Sequence, residues 1–223
     1  MLITICTSRD EALVTQLARS IRDARTLAQG QWIHKLVDQS VQSHNRYLRN
    51  LLVEMYGKCH DLELAVAIFE TMPERNTVSW NAMLHGYAKN AHAVETLDLY
   101  KRMACEGVEP DTTTLIATLI ACNHIGLLAL AIHHFSSMSF DHSIAETIDH
   151  YCCMIDILGR AGKIPEAQEL LHTMPFQANH VAYTALLNSS RNAPLASSVR
   201  SFPVDTMYVL LSNLAAQNAT FHN

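Results

Sequence analysis

Glycine and proline are scarce, at seven and six among 223 residues. With leucine and alanine dominant, that scarcity favours an all-helical protein. The six cysteines lack paired spacing. No Cys-x-x-Cys and no His-x-Glu occurs, so the zinc-deaminase pattern is absent. Reduced thiols are expected, several on apolar helix faces. Cys152-Cys153 and His133-His134 are adjacent pairs, whose side chains diverge around a helix and seldom share one tetrahedral ion. Neither a metal nor another cofactor is expected. There is also no P-loop, no Gly-x-Ser-x-Gly and no pair of carboxylates without a structural explanation. Nothing in the chain supports catalysis.

Charge of one sign is lacking too. The net charge of −5 argues against a nonspecific polyanion binder. Residues 1–76 carry nine basic and nine acidic side chains, and residues 77–223 seven and twelve. The start MLITICTSRDEAL breaks into charge too early for a secretory signal. Only Leu115 to Ile132 is long and uncharged enough to test against a bilayer, which roughly 20 apolar residues would span. Asn123, His124 and Gly126 stand at its centre, where polar groups are costly in lipid. They read as the turn of a buried helical hairpin, and no membrane partner is expected.

What is present is helical periodicity, in pairs. Glu11 to Ile21 and Leu27 to Val41 make the first pair, with Gly30, Trp32, Ile33 and Leu36 along the second helix. His44-Asn45 then breaks the chain. Tyr47 to Tyr56 and Leu62 to Met72 follow, split by Gly57 and ended by Pro73. The best-formed pair lies in residues 76–111. Trp80, Met83, Leu84 and Tyr87 recur at helical spacing, as do Val94, Leu97, Leu99, Tyr100 and Met103. Asn90 separates these two, and Gly107 with Pro110 stops the second. Thr112 to Ala121 pairs with Leu127 to Met138, Ile148 to Leu158 with Ile164 to Met174, and His180 to Ser190 with Met207 to Gln217.

Units start near 46, 77, 112, 148 and 180, a period of 31 to 36 residues. RNLLVEMYGKCHDLELAVAIFETMPERN aligns with YCCMIDILGRAGKIPEAQELLHTMPFQAN, sharing the apolar stripe, the Gly-cation step and the closing Met-Pro. Two helices per unit at such a period indicate an all-α, right-handed α-solenoid of tandem helix-turn-helix repeats, each hairpin buried only against its neighbours. No domain boundary is needed inside 1–190.

Period and helix count fit several helical repeat families. The residues VSWNAMLHGYAKN with GVEPD, LVEMYGKCHDLELA with MPERN, and HYCCMIDILGRAGKIPEAQELLHTMPF resemble pentatricopeptide repeats of the plant PLS class. TLIACNHIGLLALAIHHFSSM is similar to the long repeat of that class, and ARSIRDARTLAQGQWIH to the end of another. The resemblance implies a partial repeat at 1–45, a short-type repeat at 46–76, a repeat at 77–111, a long-type repeat at 112–147 and a short-type repeat at 148–179. TALLNSSR and MYVLLSNLAAQN look like the starts of two E motifs, implying a truncated E region at 180–223. A shortened gene product without a transit peptide is the corresponding expectation.

The resemblance further implies that each unit reads one base of single-stranded RNA through its fifth and last residues. Those are Asn50 and Asn76, Asn81 and Asp111, and Cys152 and Asn179. The family pattern assigns a pyrimidine to Asn50/Asn76, uracil to Asn81/Asp111, and nothing firm to Cys152/Asn179. Ile116 and Thr147 look non-coding. Tyr47 and Val78, the second residues, would sandwich bases, since aromatic faces stack on any base; Asp149 does not suit that role.

Structural alternatives stand beside these roles. Asn81 can be a helix-start polar residue, and Asp111 an N-cap for the helix at Thr112. Trp80 and Tyr151 lie on the apolar stripe and read as interior packing. Arg46, Arg49, Lys58, Lys89 and Lys163 are phosphate contacts or solvated cations. Function by resemblance is a specificity factor for organellar RNA modification or processing, in mitochondrion or chloroplast, with an editing deaminase acting in trans. The competing class is a helical-repeat protein scaffold without RNA.

Overall fold

The computed structural model describes the backbone of residues 2–191 and the side chains of residues 10–187. Those residues form eleven helices and no strand. They are α1 (Leu2–Asp23), α2 (Leu27–Gln39), α3 (Arg46–Lys58), α4 (Leu62–Glu70), α5 (Thr77–Lys89), α6 (Ala93–Cys105), α7 (Thr112–Ile125), α8 (Leu128–Phe140), α9 (Ile148–Arg160), α10 (Ile164–Thr173) and α11 (His180–Arg191). The fold class is all-α, built of tandem helical hairpins. The helix expected at Met207 to Gln217 lies outside the described residues. No helix among the described residues is long and apolar enough to cross a membrane.

Besides α7, which runs to Ile125 rather than Ala121 so that Asn123 and His124 are helical and the turn falls at Gly126, one helix differs clearly from expectation. The first, expected from Glu11, starts at Leu2. No proline or glycine lies between Leu2 and Glu11, and charges at Arg9 and Asp10 do not interrupt a helix. α4 stops at Glu70 rather than Met72, because Pro73 follows and disfavours the helical conformation at the residue before it.

One turn design recurs at four hairpins. His60 and Ala91 (φ 61° each), Gly126 (φ 70°) and Gly162 (φ 76°) are left-handed. The next N–H in each case reaches five residues back: Asp61 to the Tyr56 carbonyl and His92 to Tyr87 at 3.0 Å, Leu127 to Cys122 and Lys163 to Leu158 at 2.9 Å. This is the Schellman closure, which satisfies a helix's terminal carbonyls. The second helix then opens two residues after the left-handed one, at Leu62, Ala93, Leu128 and Ile164. The repeat is thus written in the backbone as well as in the side chains.

Although no boundary was needed inside 1–190, the chain divides into two compact units, residues 1–109 and 110–223. The division falls in the stretch that joins Gly107, which ends α6 at φ 73°, to Asp111, which caps α7.

In the first unit α3 packs on α5, with Leu48, Leu52, Tyr56, Phe69, Trp80 and Leu84 almost wholly buried. A Cβ placed on Gly57 would stand 3.0 Å from the Gly86 Cα, so the two helices touch backbone to backbone. Asn90 ties their ends, its amide donating to the carbonyls of Gly57 at 2.9 Å and Gly86 at 2.7 Å. Trp80 meets Phe69 edge-on at 5.0 Å, with the Arg75 and Arg102 guanidinium groups over both rings. Arg102 bonds Glu70 and Glu106, and Arg75 bonds Glu106 at 3.0 Å. The Arg102 hydrogen bond, with the nearby cations, holds the Glu70 carboxyl below its ordinary range.

In the second unit α9 packs against α7, α8, α10 and α11. Phe135, Tyr151 and Phe176 stack edge to face at 5.2 and 5.9 Å. The Asn123 amide donates to the Asp156 carboxylate, which also pairs with Arg160 at 3.0 Å. Trp80 and Tyr151 are therefore packing groups, as the apolar stripe indicated.

Candidate nucleic-acid interface

The fifth residues sit one turn into the first helix of each pair. Asn50 on α3, Asn81 on α5 and Cys152 on α9 are 8%, 7% and 7% exposed, and Ile116 on α7 is half-buried. Polar groups at such depth are normally satisfied, since an orphan costs about 1–3 kcal/mol. Yet the Asn50 side-chain oxygen has no hydrogen-bond partner among the described residues. Cys152 differs in kind. Burial, reinforced by Asp149, pushes its thiol up, so it stays a neutral, weak donor.

The last residues turn out to be helix caps. Asn76 opens α5, its oxygen accepting from the Ser79 N–H at 3.1 Å and the Ser79 hydroxyl at 3.0 Å. Asp111 opens α7 in the same way, accepting from the Thr114 N–H at 2.9 Å and hydroxyl at 3.1 Å. Asn179 accepts from the Ala182 N–H at 3.0 Å. Asn45, read from the sequence only as part of a break, caps α3 by accepting from Tyr47 and Leu48 N–H groups, while its amide donates to Gln42 at 3.0 Å. Capping was anticipated for Asp111 alone. Capping does not exhaust an asparagine: the oxygen faces the helix, and the two amide hydrogens are left pointing away from it.

Thr147 completes the series at α9, where it forms a capping box with His150. The Thr147 N–H donates to His150 Nδ1 at 3.2 Å, so Nε2 carries the proton and donates to the Thr112 carbonyl at 3.1 Å. Burial pushes the His150 imidazole down from its ordinary value.

The second residues project outward. Tyr47 and Val78 are 45% and 58% exposed, and Asp149 is exposed. The Arg22 guanidinium lies 5.7 Å from the Tyr47 ring centre and bonds its hydroxyl. A cleft of about 490 Å³ opens beside Tyr47, lined by His44, Asn45, Arg46, Arg49, Met72, Pro73 and Glu74. From the sequence, Tyr47, Arg46 and Arg49 stand out only as separate residues, not as one cleft. Arg49 is held by the Ser43 carbonyl at 2.8 Å and the Thr71 hydroxyl at 3.1 Å, and Arg46 by Glu74 at 3.6 Å. Lys58 pairs with Glu54 and Lys163 with Glu166, whereas Lys89 is exposed.

Models of the PPR repeat family match residues 75–124, and those of the PPR repeat match 48–77 and 149–175. The chain carries pentatricopeptide repeats. It is 37% identical over 216 residues to pentatricopeptide repeat-containing protein At3g29230 of Arabidopsis thaliana, covering 93% of this chain and 36% of that one. It is likewise 37% identical over 175 residues to the chloroplastic protein At3g49170 of the same plant, covering 78% and 21%. The chain thus spans about a third or less of the length of these two relatives. The crystal structure of the pentatricopeptide repeat protein PPR10 from maize matches with a TM-score of 0.62 at 19% identity, over 90% of this chain and 31% of that one. PPR10 in complex with an 18-nt psaJ RNA element matches with a TM-score of 0.57 at 18% identity, over 90% and 33%. At these identities the likeness concerns the tandem-hairpin fold.

Proposed function

We propose that this chain binds single-stranded RNA and distinguishes bases through short polar side chains on the first helix of each repeat and at its cap. The observation that carries the reading is the buried, unpartnered oxygen of Asn50. Trp80 Nε1, Asn123 Oδ1, Ser139 Oγ and Glu146 Oε1 also lack partners among the described residues, and what sets Asn50 apart is its place at the fifth position of a repeat, with Asn81 at the same place in the next. Asn76, held by Ser79, offers the complementary donor, which suits the pair to a pyrimidine. Asn81 in the first unit and Asp111 in the second are each assigned to base reading within their own unit. Cys152 and Asn179 form the weakest assignment, since a neutral thiol discriminates poorly. Tyr47 and Val78 would hold bases by stacking and apolar contact.

The repeat order supports membership of the PLS class, with E-motif starts at 184–191 and 207–218. In that class the chain would act as a specificity factor in organellar RNA modification or processing, in mitochondrion or chloroplast. A deaminase in trans would supply any cytidine chemistry. A good bidentate base contact gives roughly 1–3 kcal/mol of discrimination in DNA readout. Two firm pairs therefore set a preference and not a transcript.

Filter binding against short pyrimidine-rich RNA, with a purine control and the Asn81→Ala variant, tests the proposal. Pyrimidine preference that falls in the variant supports it, and equal affinity for both RNAs contradicts it. A second reading, a protein-interaction scaffold, draws on the exposed Trp32, Leu36 and Val41 of the α2 region, with Trp32 64% exposed. Equal affinity for both RNAs favours that scaffold.

A further inference from the structure

We infer that Ser79 is a positioning residue for base selection: its hydroxyl sets the orientation of the Asn76 amide, and Thr114 holds the Asp111 carboxylate in place through a ring of the same form. The inference rests on the RNA reading above and names the residues that regulate its selectivity.

The geometry is a closed ring. The Ser79 hydroxyl donates to the Asn76 oxygen at 3.0 Å and accepts from the Asn76 backbone N–H at 3.3 Å. The Ser79 backbone N–H adds a second donor to that oxygen at 3.1 Å. Two donors on one oxygen oppose the half-turn of the amide that would exchange its oxygen and nitrogen. Such a turn would present an acceptor where a donor is needed and invert the base preference. Ser79 is itself 1% exposed, so its hydroxyl is held by packing and is not available to RNA. It acts through Asn76.

The distribution of these rings agrees with the role. Asp111 and Thr114 repeat the arrangement, with Thr114 fully buried and its hydroxyl accepting from the Asp111 N–H at 3.1 Å. Asn179, whose pair has no firm base assignment, has Ala182 at the corresponding place and only a backbone donor. Asn45 has Leu48 there and directs its amide to Gln42. Thr147 has His150, and its unit carries the non-coding Ile116. The hydroxyl rings fall on the last residues of the two pairs with the firmest assignments. In these two cases the third residue of the following unit, Ser79 or Thr114, therefore belongs to the reading machinery.

The test uses the whole chain and its Ser79→Ala, Ser79→Thr and Asn76→Ala variants, titrated against labelled oligocytidine and oligoadenosine. The quantity read is the ratio of the two affinities, which is independent of the fraction of protein folded. Losing one hydrogen bond from the ring is expected to lower the ratio about three- to tenfold in Ser79→Ala, with Ser79→Thr restoring it. An unchanged ratio in Ser79→Ala, alongside a collapsed ratio in Asn76→Ala, overturns the inference and leaves the RNA reading standing. A wild-type chain that prefers neither RNA overturns the RNA reading and this inference with it.

Discussion

Replacing Asn50 by leucine should stabilise the chain while impairing RNA selection. Asn50 is 92% buried, and its oxygen has no partner among the described residues. Removing that orphan acceptor is worth about 1–3 kcal/mol. Burying a leucine contributes roughly 1.5–3 kcal/mol more. Against this, the two branches of leucine are bulkier than the planar amide, and overpacking beside the buried Leu48 and Leu52 costs about 1–3 kcal/mol. Taken at their midpoints these terms leave a gain of about 2 kcal/mol, read as a higher urea midpoint at unchanged slope. On the same samples, affinity for pyrimidine RNA should fall towards that for a purine control. Most buried-polar substitutions lose stability and function together, so the opposition of signs is the informative part. A variant that is destabilised by more than about 1 kcal/mol and keeps its RNA preference would refute the reasoning, because Asn50 would then be an ordinary structural amide.

Further expectations concern the scaffold and its titration. Gly57→Ala and Gly86→Ala should have opposite signs. The first puts a Cβ 3.0 Å from a backbone Cα and should destabilise by about 1 kcal/mol, whereas the second meets nothing nearer than 3.8 Å and should gain up to about 1 kcal/mol of helix propensity. Equal signs in urea unfolding would contradict the close approach of α3 and α5. Ala91→Gly should stabilise by about 0.5–1 kcal/mol. A left-handed alanine costs roughly 1–2 kcal/mol, partly offset by the greater freedom of unfolded glycine. A lower urea midpoint would show that the turn does not strain Ala91. Burial, with minor contributions from His133 and His142, pushes the His134 imidazole down to about 4, and burial also lowers His150. Groups depressed on folding stabilise fully above the unfolded value of 6.5, and that stability is lost as pH falls towards the folded value. For His134 the full interval corresponds to about 3 kcal/mol. The second unit should therefore weaken between about pH 6.5 and 4, and His134→Leu should flatten that slope in pH-dependent melting; an unaltered slope assigns it elsewhere.

The fold was legible because periodicity, caps and turns agree locally. Helix starts at Thr77, Thr112, Ile148 and His180 are the very residues at which apolar spacing resumes after a polar cap. Gly126 and Gly162 announced their turns. His60 and Ala91 did not, since their left-handed conformation is imposed by the hairpin and not encoded by a permissive residue. The ion pairs joining Glu70 to Arg102 and Arg75 to Glu106 span 32 and 31 residues, one repeat period, so they become readable only once the period is known. At the site, the burial of Asn50 and Asn81 was not read from the sequence, which places them only at the fifth position of their units. The Asn76 cap escaped notice because the third residue of its box is a serine, where the usual sequence pattern has Glu or Gln. No pattern of single residues could have shown the orphan oxygen of Asn50, which depends on what its neighbours fail to offer.

Asn76→Asp tests the central claim most directly. Aspartate keeps the cap on α5 but replaces the outward amide donor with an acceptor. Cytosine presents an acceptor at its N3 and uracil a donor, so the preference of the whole chain should shift from oligocytidine towards oligouridine while helix content and melting stay near wild type. A cytidine-to-uridine affinity ratio that does not move in this variant would contradict base reading by these side chains.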